Sequence, residues 1–399
     1  MLIIEVSNAK QQEQFLDIAR IIYKNDPNWV CPPDHDIQGI FDPKINSFYA
    51  HGKAKRWILL DEKGTLIGRV AAFINEKKTY TFEQPTGGMG FFECIEDQKA
   101  AFLLMDTCQQ WLSSQGMQAM DGPINFGEND RYWGLLVHGY VMPGFGMAYN
   151  PPYYKDFFES YGFYQYFTQI SNHLDITKPL PERFEKIAKW VMEKPAYSFD
   201  HLHKNNYEKF AKDFITVYND AWQFHENFSP MSIEDVKRTF KKMSPIIEER
   251  FIWFAYHDGH PISFMIMVPD INIILQKLNG KNDIWAKLKF IYYRWRKLIY
   301  RARIIIMGVT PKFQKSGIES AIIMKAAEVI YAMPQYKEVE LSWVGDFNPK
   351  MRALHESVGA TLGKTYLTYR KLFDPESEAK RSSIIARDTK ETLINKVGV

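Results

Sequence analysis

Cysteine is scarce: Cys31, Cys94 and Cys108 are the three in 399 residues, and none stands in a CxxC pair. That excludes a disulfide scaffold and the cysteine-rich structural zinc sites. The ten histidines include His201-Leu202-His203, but no Cys/His cluster has a recognised ligand spacing, so no metal is expected. No apolar run approaches the roughly 18 residues that a membrane span needs, and the opening MLIIEVSNAK has neither the charged start nor the long apolar stretch of a signal peptide. Excess charge of one sign is also missing. Fifty basic residues oppose 47 acidic ones, leaving +3, too little to coat nucleic acid over a whole surface, and no nucleic-acid motif is present. A reducing cytoplasm is the simplest home for such a chain.

What the sequence does have is length and large apolar surface. A chain of 399 residues exceeds one compact domain, since roughly 100–200 residues per domain implies two. Hydrophobic residues reach 46% and aromatics 15%, enough to fill two cores and too much for wholesale disorder.

The spacing predicts a strand over 1–6, a helix over about 11–24, and then a loop holding Pro27, Pro32, Pro33 and Pro43. Apolar runs at 56–60 and 66–74 flank Asp61-Glu62-Lys63-Gly64, a hairpin signal. A strand over 90–95 leads into a helix over 98–115, where Ala101, Leu104, Met105, Cys108, Trp111 and Leu112 recur at helical spacing. A strand at 119–124, a helix at 153–160 and a strand at 164–175 complete the unit. The same order then returns. It runs through a strand at 196–200, helices at 207–224 and 232–243, and a hairpin at 251–268 about Asp258-Gly259. A strand at 303–309, a helix at 317–331, a strand at 339–344, a helix at 348–357 and a strand at 365–373 follow. This is a duplicated α/β unit, read from element order more than from identity, with two unrelated α/β domains as the alternative. The divisions expected are 1–176, a linker over 177–195 that carries Pro179 and Pro181, a second unit over 196–373, and a polar tail over 374–399.

Chemistry concentrates in the second unit. The apolar strand ending in Met307-Gly308-Val309 runs through Pro311 and Gln314-Lys315-Ser316-Gly317 into a helix beginning at Ile318. Backbone N–H groups at such a turn, with the positive end of the helix dipole, make a seat for phosphate oxygens. Downstream, the strand carrying Glu340 and Ser342 is followed by Asp346, Asn348, His355 and Gly359. This succession resembles the GNAT superfamily of acyl-CoA N-acyltransferases, closely over 196–373 and more loosely over the first half. The first half's Gly122-Pro123, its Gly134–Gly139 loop and its Asn150-Pro-Pro look like those of a tandem-GNAT family of bacterial proteins.

The resemblance implies an α/β fold with mixed (α+β) sheet, built as two tandem GNAT-like domains. It implies acetyl-CoA or another acyl-CoA as co-substrate, direct attack by an amine, and no metal. The family's Gln/Arg-x-x-Gly-x-Gly/Ala turn falls on Gln314–Glu319, so Gln314, Lys315, Ser316, Gly317 and Ile318 would hold the pyrophosphate, while Met307, Gly308 and Val309 would line the pantetheine arm. Its Asn–Tyr–Gly pattern falls on Asn348, His355 and Gly359, with His355 in the tyrosine's place as donor to the departing thiolate; helix-surface histidine is the alternative. Glu340 and Asp346 are the candidate bases, with structural ion pairing as the alternative for each.

Glu319 departs from the pattern. A carboxylate about 4 Å from a phosphate costs roughly 4 kcal/mol at an effective dielectric of about 20, against roughly 0.3–1 kcal/mol returned by the helix dipole. Coenzyme A binding therefore requires Glu319 to point away. The first half has no glycine between Phe91 and Leu103 and has Phe158 where His355 would stand, so one active site per chain is expected. An insert over 270–302 contains a basic amphipathic helix, with Ile284, Trp285, Leu288, Ile291, Tyr292, Trp295, Leu298 and Ile299 on one stripe and Lys287, Lys289, Arg294, Arg296, Lys297 and Arg301 around it. Membrane-surface contact, steering of coenzyme A and packing on its own domain are the three readings of that stripe. The function implied is N-acyl transfer, most simply of an acetyl group, to a small-molecule or amino-group substrate. The alternative is a GNAT-fold protein that has lost chemistry and serves in binding or at a membrane surface.

Overall fold

A computed structural model describes residues 1–222, 232–244 and 246–382. The ends of the tail over 383–399 and of the helix expected to reach 224 lie outside the described residues. Local chemistry accounts for the elements. Asp61 Oδ1 accepts from the backbone N–H of Lys63 and Thr65 at 2.9 and 2.7 Å, which closes the turn between β2 (Gly52–Leu60) and β3 (Leu66–Asn75). Asp97 caps the Gln98–Ser114 helix through the N–H groups of Lys99 and Ala100. Gly116, at φ +85°, ends the turn that follows.

The described strands form one mixed sheet. In the first half, β1 (Leu2–Glu5), β2, β3, β4 (Thr86–Cys94) and β5 (Ala119–Gly122) lie side by side. The second half contributes β8 (Tyr197–His201), β9 (Ile252–His257), β10 (His260–Pro269), β11 (Arg301–Val309) and β12 (Glu338–Gly345). The two closing strands, β7 (Tyr164–Asp175) and β13 (Thr361–Leu372), change places. The order is β1-β2-β3-β4-β5-β13-β7-β12-β11-β10-β9-β8, so β13 completes the first half's sheet and β7 the second's. Pairing is antiparallel except for β4 with β5 and β11 with β12. A short β6 (Leu135–His138), within a stretch read as loop, pairs with β13.

Separate apolar clusters lie under the two halves, one around Leu104, Met105 and Phe158 and another around Met265, Ile322 and Val339. Two segments expected as connections are helical. Asp34–Ile40 forms a helix within the proline-rich loop, and Glu182–Met192 forms one within the expected linker. The latter packs on the Ile318–Tyr331 helix, because Phe184, Ala188 and Val191 repeat at helical spacing and bury there.

The insert forms a helix over Ile284–Trp295, capped by Asp283. It docks through Ala286, Phe290 and Tyr293 against Ile274, Leu278 and Ile299. Most of the stripe singled out in the sequence faces outward instead: Trp285 and Trp295 are 70% and 74% exposed, and Ile284, Leu288, Ile291 and Tyr292 are exposed with them. Packing on its own domain is thus not what this face does. No helix among the described residues is long and apolar enough to cross a membrane.

Candidate active site

The parallel pairing of β11 with β12 lasts four residues, Arg301–Ile304 against Glu338–Leu341. Beyond it, β11 stays with β10 through Ile306, Met307, Gly308 and Val309, while Val344 and Gly345 of β12 stay with β7. The two strands part, and the edges facing each other have no ladder partner among the described residues. Ile305 is exposed and Ile306, Met307, Ser342 and Trp343 are half-buried along this wedge. Met307, Gly308 and Val309 therefore lie on one wall of an open cleft. Gly308 has a packing reason for being glycine: a Cβ there would meet Trp222 at 2.6 Å and Phe264 at 2.9 Å.

At the open end, a turn over Pro311–Phe313 passes through Lys315 (φ +64°) and Gly317 (φ +84°) into the Ile318–Tyr331 helix. Gly317 is required by that left-handed backbone and by the helix over Glu182–Met192, whose Ile187 and Val191 methyls would stand 2.9 and 3.0 Å from any Cβ. Ser316 Oγ donates to the Phe313 carbonyl at 2.6 Å, and the Gln314 amide donates to the Val309 carbonyl at 3.4 Å. Glu319 does not point away. Its carboxyl lies against the backbone N–H groups of Lys315 and Glu319, and burial raises its pKa despite them. The expectation is corrected: the carboxylate itself takes these donors, as an acidic group at a helix start does.

Of the other candidates, Asn348, His355 and Glu340 are each committed to other partners, and Asp346 stands at the end of β12. Asn348 Oδ1 accepts from Met351 N–H at 3.2 Å and so caps the Pro349–Ser357 helix. His355 is buried, with Nδ1 3.3 Å from the Asn172 amide. Burial lowers its pKa to about 4, the reverse of the rise that an acid for thiolate protonation needs, so the imidazole is neutral at pH 7. Glu340 is buried on the other sheet face, 2.9 Å from Arg303 Nε and 2.7 Å from Lys364 Nζ. Burial pushes its pKa up, but Lys364 and Arg303 outweigh burial and hold it at about 2. The structural ion pair, not the base, describes this residue. The first half's loop seals it, since a Cβ on Gly144 would come within 2.7 Å of Glu340 Oε1. Asp346 follows β12 directly and pairs with Arg381 at 2.5 Å. Among the described residues no group of three His, Cys, Asp or Glu could hold a metal ion.

In the first half, β4 leaves β5 after Gly88 and Asp121, but the helix that follows has its first N–H groups capped by Asp97. Phe158 is fully buried among Phe92, Phe163 and Tyr369. Sequence reading passed over Glu93, a carboxylate in the apolar run Gly-Met-Gly-Phe-Phe-Glu-Cys. It is buried, accepts from the Tyr23 and Tyr154 hydroxyls at 2.8 and 2.9 Å, and lies 3.4 Å from Arg69. Its position in a buried strand was the available signal, because an acid there requires partners.

No protein-family model matches the chain. It is 28% identical over 386 residues to the bacterial ceramide synthase of Caulobacter vibrioides (strain NA1000 / CB15N), covering 92% of this chain and 97% of that protein. Protein YghO of Escherichia coli (strain K12) is 24% identical over 384 residues, 91% of this chain and 93% of that one. Among solved structures, a tandem GNAT protein from the clavulanic acid biosynthesis pathway superposes with a TM-score of 0.56 at 12% identity, over 94% of this chain and 99% of that one. At that identity the likeness carries the fold, and the chain has a tandem GNAT architecture.

Proposed function

We propose that this tandem GNAT-fold chain is an acyl-CoA-dependent N-acyltransferase whose acceptor is a long-chain amine. The observation that carries the reading is the parting of β11 and β12 beyond Ile304 and Leu341, directly ahead of the glycine-started helix. A thioester arm laid in that wedge can hydrogen-bond to the free edges of Ile305–Val309, with its phosphates at the Lys315–Ile318 turn once Glu319 has moved. Acyl-CoA is the co-substrate in this proposal.

The chemistry then rests on positioning more than on acid–base help. The amine attacks the thioester carbonyl, the C–S bond breaks, and the thiolate leaves; a thiol with pKa near 8.5 needs no strong acid to depart. His355, buried and neutral, shapes the site and does not protonate the leaving group. Asp346 is the carboxylate proposed to receive the ammonium proton, in place of Glu340.

The likeness of the whole chain to a bacterial ceramide synthase supports a lipid acceptor and a fatty acyl donor over acetyl, because a ceramide is the fatty amide of a long-chain amino alcohol. The outward face of the Ile284–Trp295 helix supports a place of work. Six basic residues and one acidic residue lie between Lys281 and Lys297, around exposed tryptophans, which suits an anionic bilayer surface. A second copy of the chain would set like charges against each other.

The test is thiol release from acetyl-, octanoyl- and palmitoyl-CoA with amines of increasing chain length, with mass detection of the amide. Release rising with both chain lengths supports the proposal. Release without amide, or preference for short amines, contradicts it.

A further inference from the structure

Lysines near the turn that starts the Ile318–Tyr331 helix are committed differently from their neighbours. On the Glu182–Met192 helix, Lys186 and Lys189 pair with Glu182 and Glu185 one turn back, and Lys325 pairs with Glu328 on the helix packed against it. Lys194, Lys312 and Lys315 make no ion pair among the described residues. Lys312 and Lys315 are exposed on the turn itself. Lys194 lies over a tryptophan instead, with Nζ 3.1 Å from the centre of the Trp190 ring.

Two contacts bring Trp190 and Lys194 to the turn. The Ile187 and Val191 methyls reach Gly317 at its end. At its start, Tyr197 meets Phe313 with ring centroids 6.4 Å apart, and Lys312 lies over that same Phe313 ring. Trp190 stands between these contacts: it is three residues on from Ile187, and helix neighbours at that spacing have Cβ atoms roughly 5–6 Å apart. The C-terminal end of the Glu182–Met192 helix thus forms one bank of the turn. Trp190 is still 58% exposed with the Lys194 ammonium on one face, so the ring can take a second planar group on the other.

We infer that Trp190 stacks on the adenine of coenzyme A, with Lys194, Lys312 and Lys315 around its 3′-phosphate, so that this chain selects its donor by the nucleotide half. The inference rests on the acyl-CoA reading above and deepens it by naming what recognises the donor. Every base has a π-face, and stacking on an exposed aromatic ring needs no shaped pocket. Lysine suits a phosphate as a compact charge on a flexible stem, and three without a carboxylate partner suit a ligand with more than one anionic group. Glu319 adds a reason. Its carboxyl occupies the N–H groups proposed for the pyrophosphate, so affinity has to come from groups beside the turn. Trp190 and these lysines are the groups placed to supply it.

The experiment is calorimetry of the full chain with coenzyme A, dephospho-coenzyme A, 4′-phosphopantetheine and adenosine 3′,5′-bisphosphate. Coenzyme A should bind at least tenfold tighter than 4′-phosphopantetheine and at least fivefold tighter than dephospho-coenzyme A. Trp190→Ala should weaken coenzyme A and adenosine 3′,5′-bisphosphate by about fivefold or more, the low end for one base stacked on one ring, and leave 4′-phosphopantetheine unchanged. Trp190→Phe should recover most of the loss. Lys312→Gln/Lys315→Gln should narrow the gap between coenzyme A and its dephospho form. Equal binding of coenzyme A and 4′-phosphopantetheine, or coenzyme A affinity unmoved by Trp190→Ala, overturns the inference and leaves the proposed reaction standing. Binding of adenosine 3′,5′-bisphosphate that depends on Trp190, with no amide formed from any acyl-CoA, leaves this site standing and removes the reaction. No binding of coenzyme A or of the bisphosphate overturns both.

Discussion

Glu319 is where the proposed donor site meets a counter-charge of its own. Its carboxyl lies against the Lys315 and Glu319 N–H groups, which the proposed pyrophosphate would require it to give up. Removing it relieves repulsion of up to roughly 4 kcal/mol at an effective dielectric of about 20, reduced by its partial exposure. Glu319→Ala should therefore tighten coenzyme A binding by about tenfold or more by calorimetry; unchanged or weaker binding would mean the phosphates sit elsewhere. Glu340 differs. Locked between Arg303 and Lys364, it belongs to a buried cluster, and removing one partner should cost roughly 3–5 kcal/mol of stability, so a change there reports on folding before chemistry. Histidine at 355 likewise takes its character from burial and not from its place in a motif.

The Ile284–Trp295 helix is an element whose outward face has no partner within the described chain. Each large apolar side chain moved out of water is worth about 1.5–3 kcal/mol, and each basic group near an anionic surface about 1 kcal/mol. The intact protein should float with phosphatidylglycerol vesicles at low salt and less so as salt shortens the Debye length, and Trp285→Ser/Trp295→Ser should bind at least fivefold more weakly. Equal flotation of the two would exclude this helix as the contact. The helix itself was legible, since its apolar residues recur at 3.6-residue spacing, but periodicity reveals that a face is apolar without revealing what covers it. The hairpins at Gly64 and Gly259 were legible for local reasons, turn chemistry between apolar runs. Gly317 was legible as part of a turn into a helix, but its second reason for being glycine was not: it permits close approach of Ile187 and Val191, a contact with a helix read as linker. Glu93 escaped because one acid in an apolar run carries no period.

Across the whole molecule, exchange of β7 and β13 makes each half's sheet depend on the other's last strand. That exchange leaves no mark in the sequence, since a closing strand reads the same whichever half it joins. We retain the division into 1–176 and 196–373 as a proposal about how the sequence is duplicated; the sheet itself is continuous. Two wedges in one sheet then stand in fixed relation, one ending at a helix start with a movable carboxylate, the other holding a buried acid. The most direct measurement is hydrogen–deuterium exchange of the intact protein with and without saturating palmitoyl-CoA. Slowed exchange confined to peptides covering Ile305–Val309 and Lys315–Ser320, with the peptides of β4 unchanged, is the predicted result. Protection centred on β4, or none at all, would contradict it.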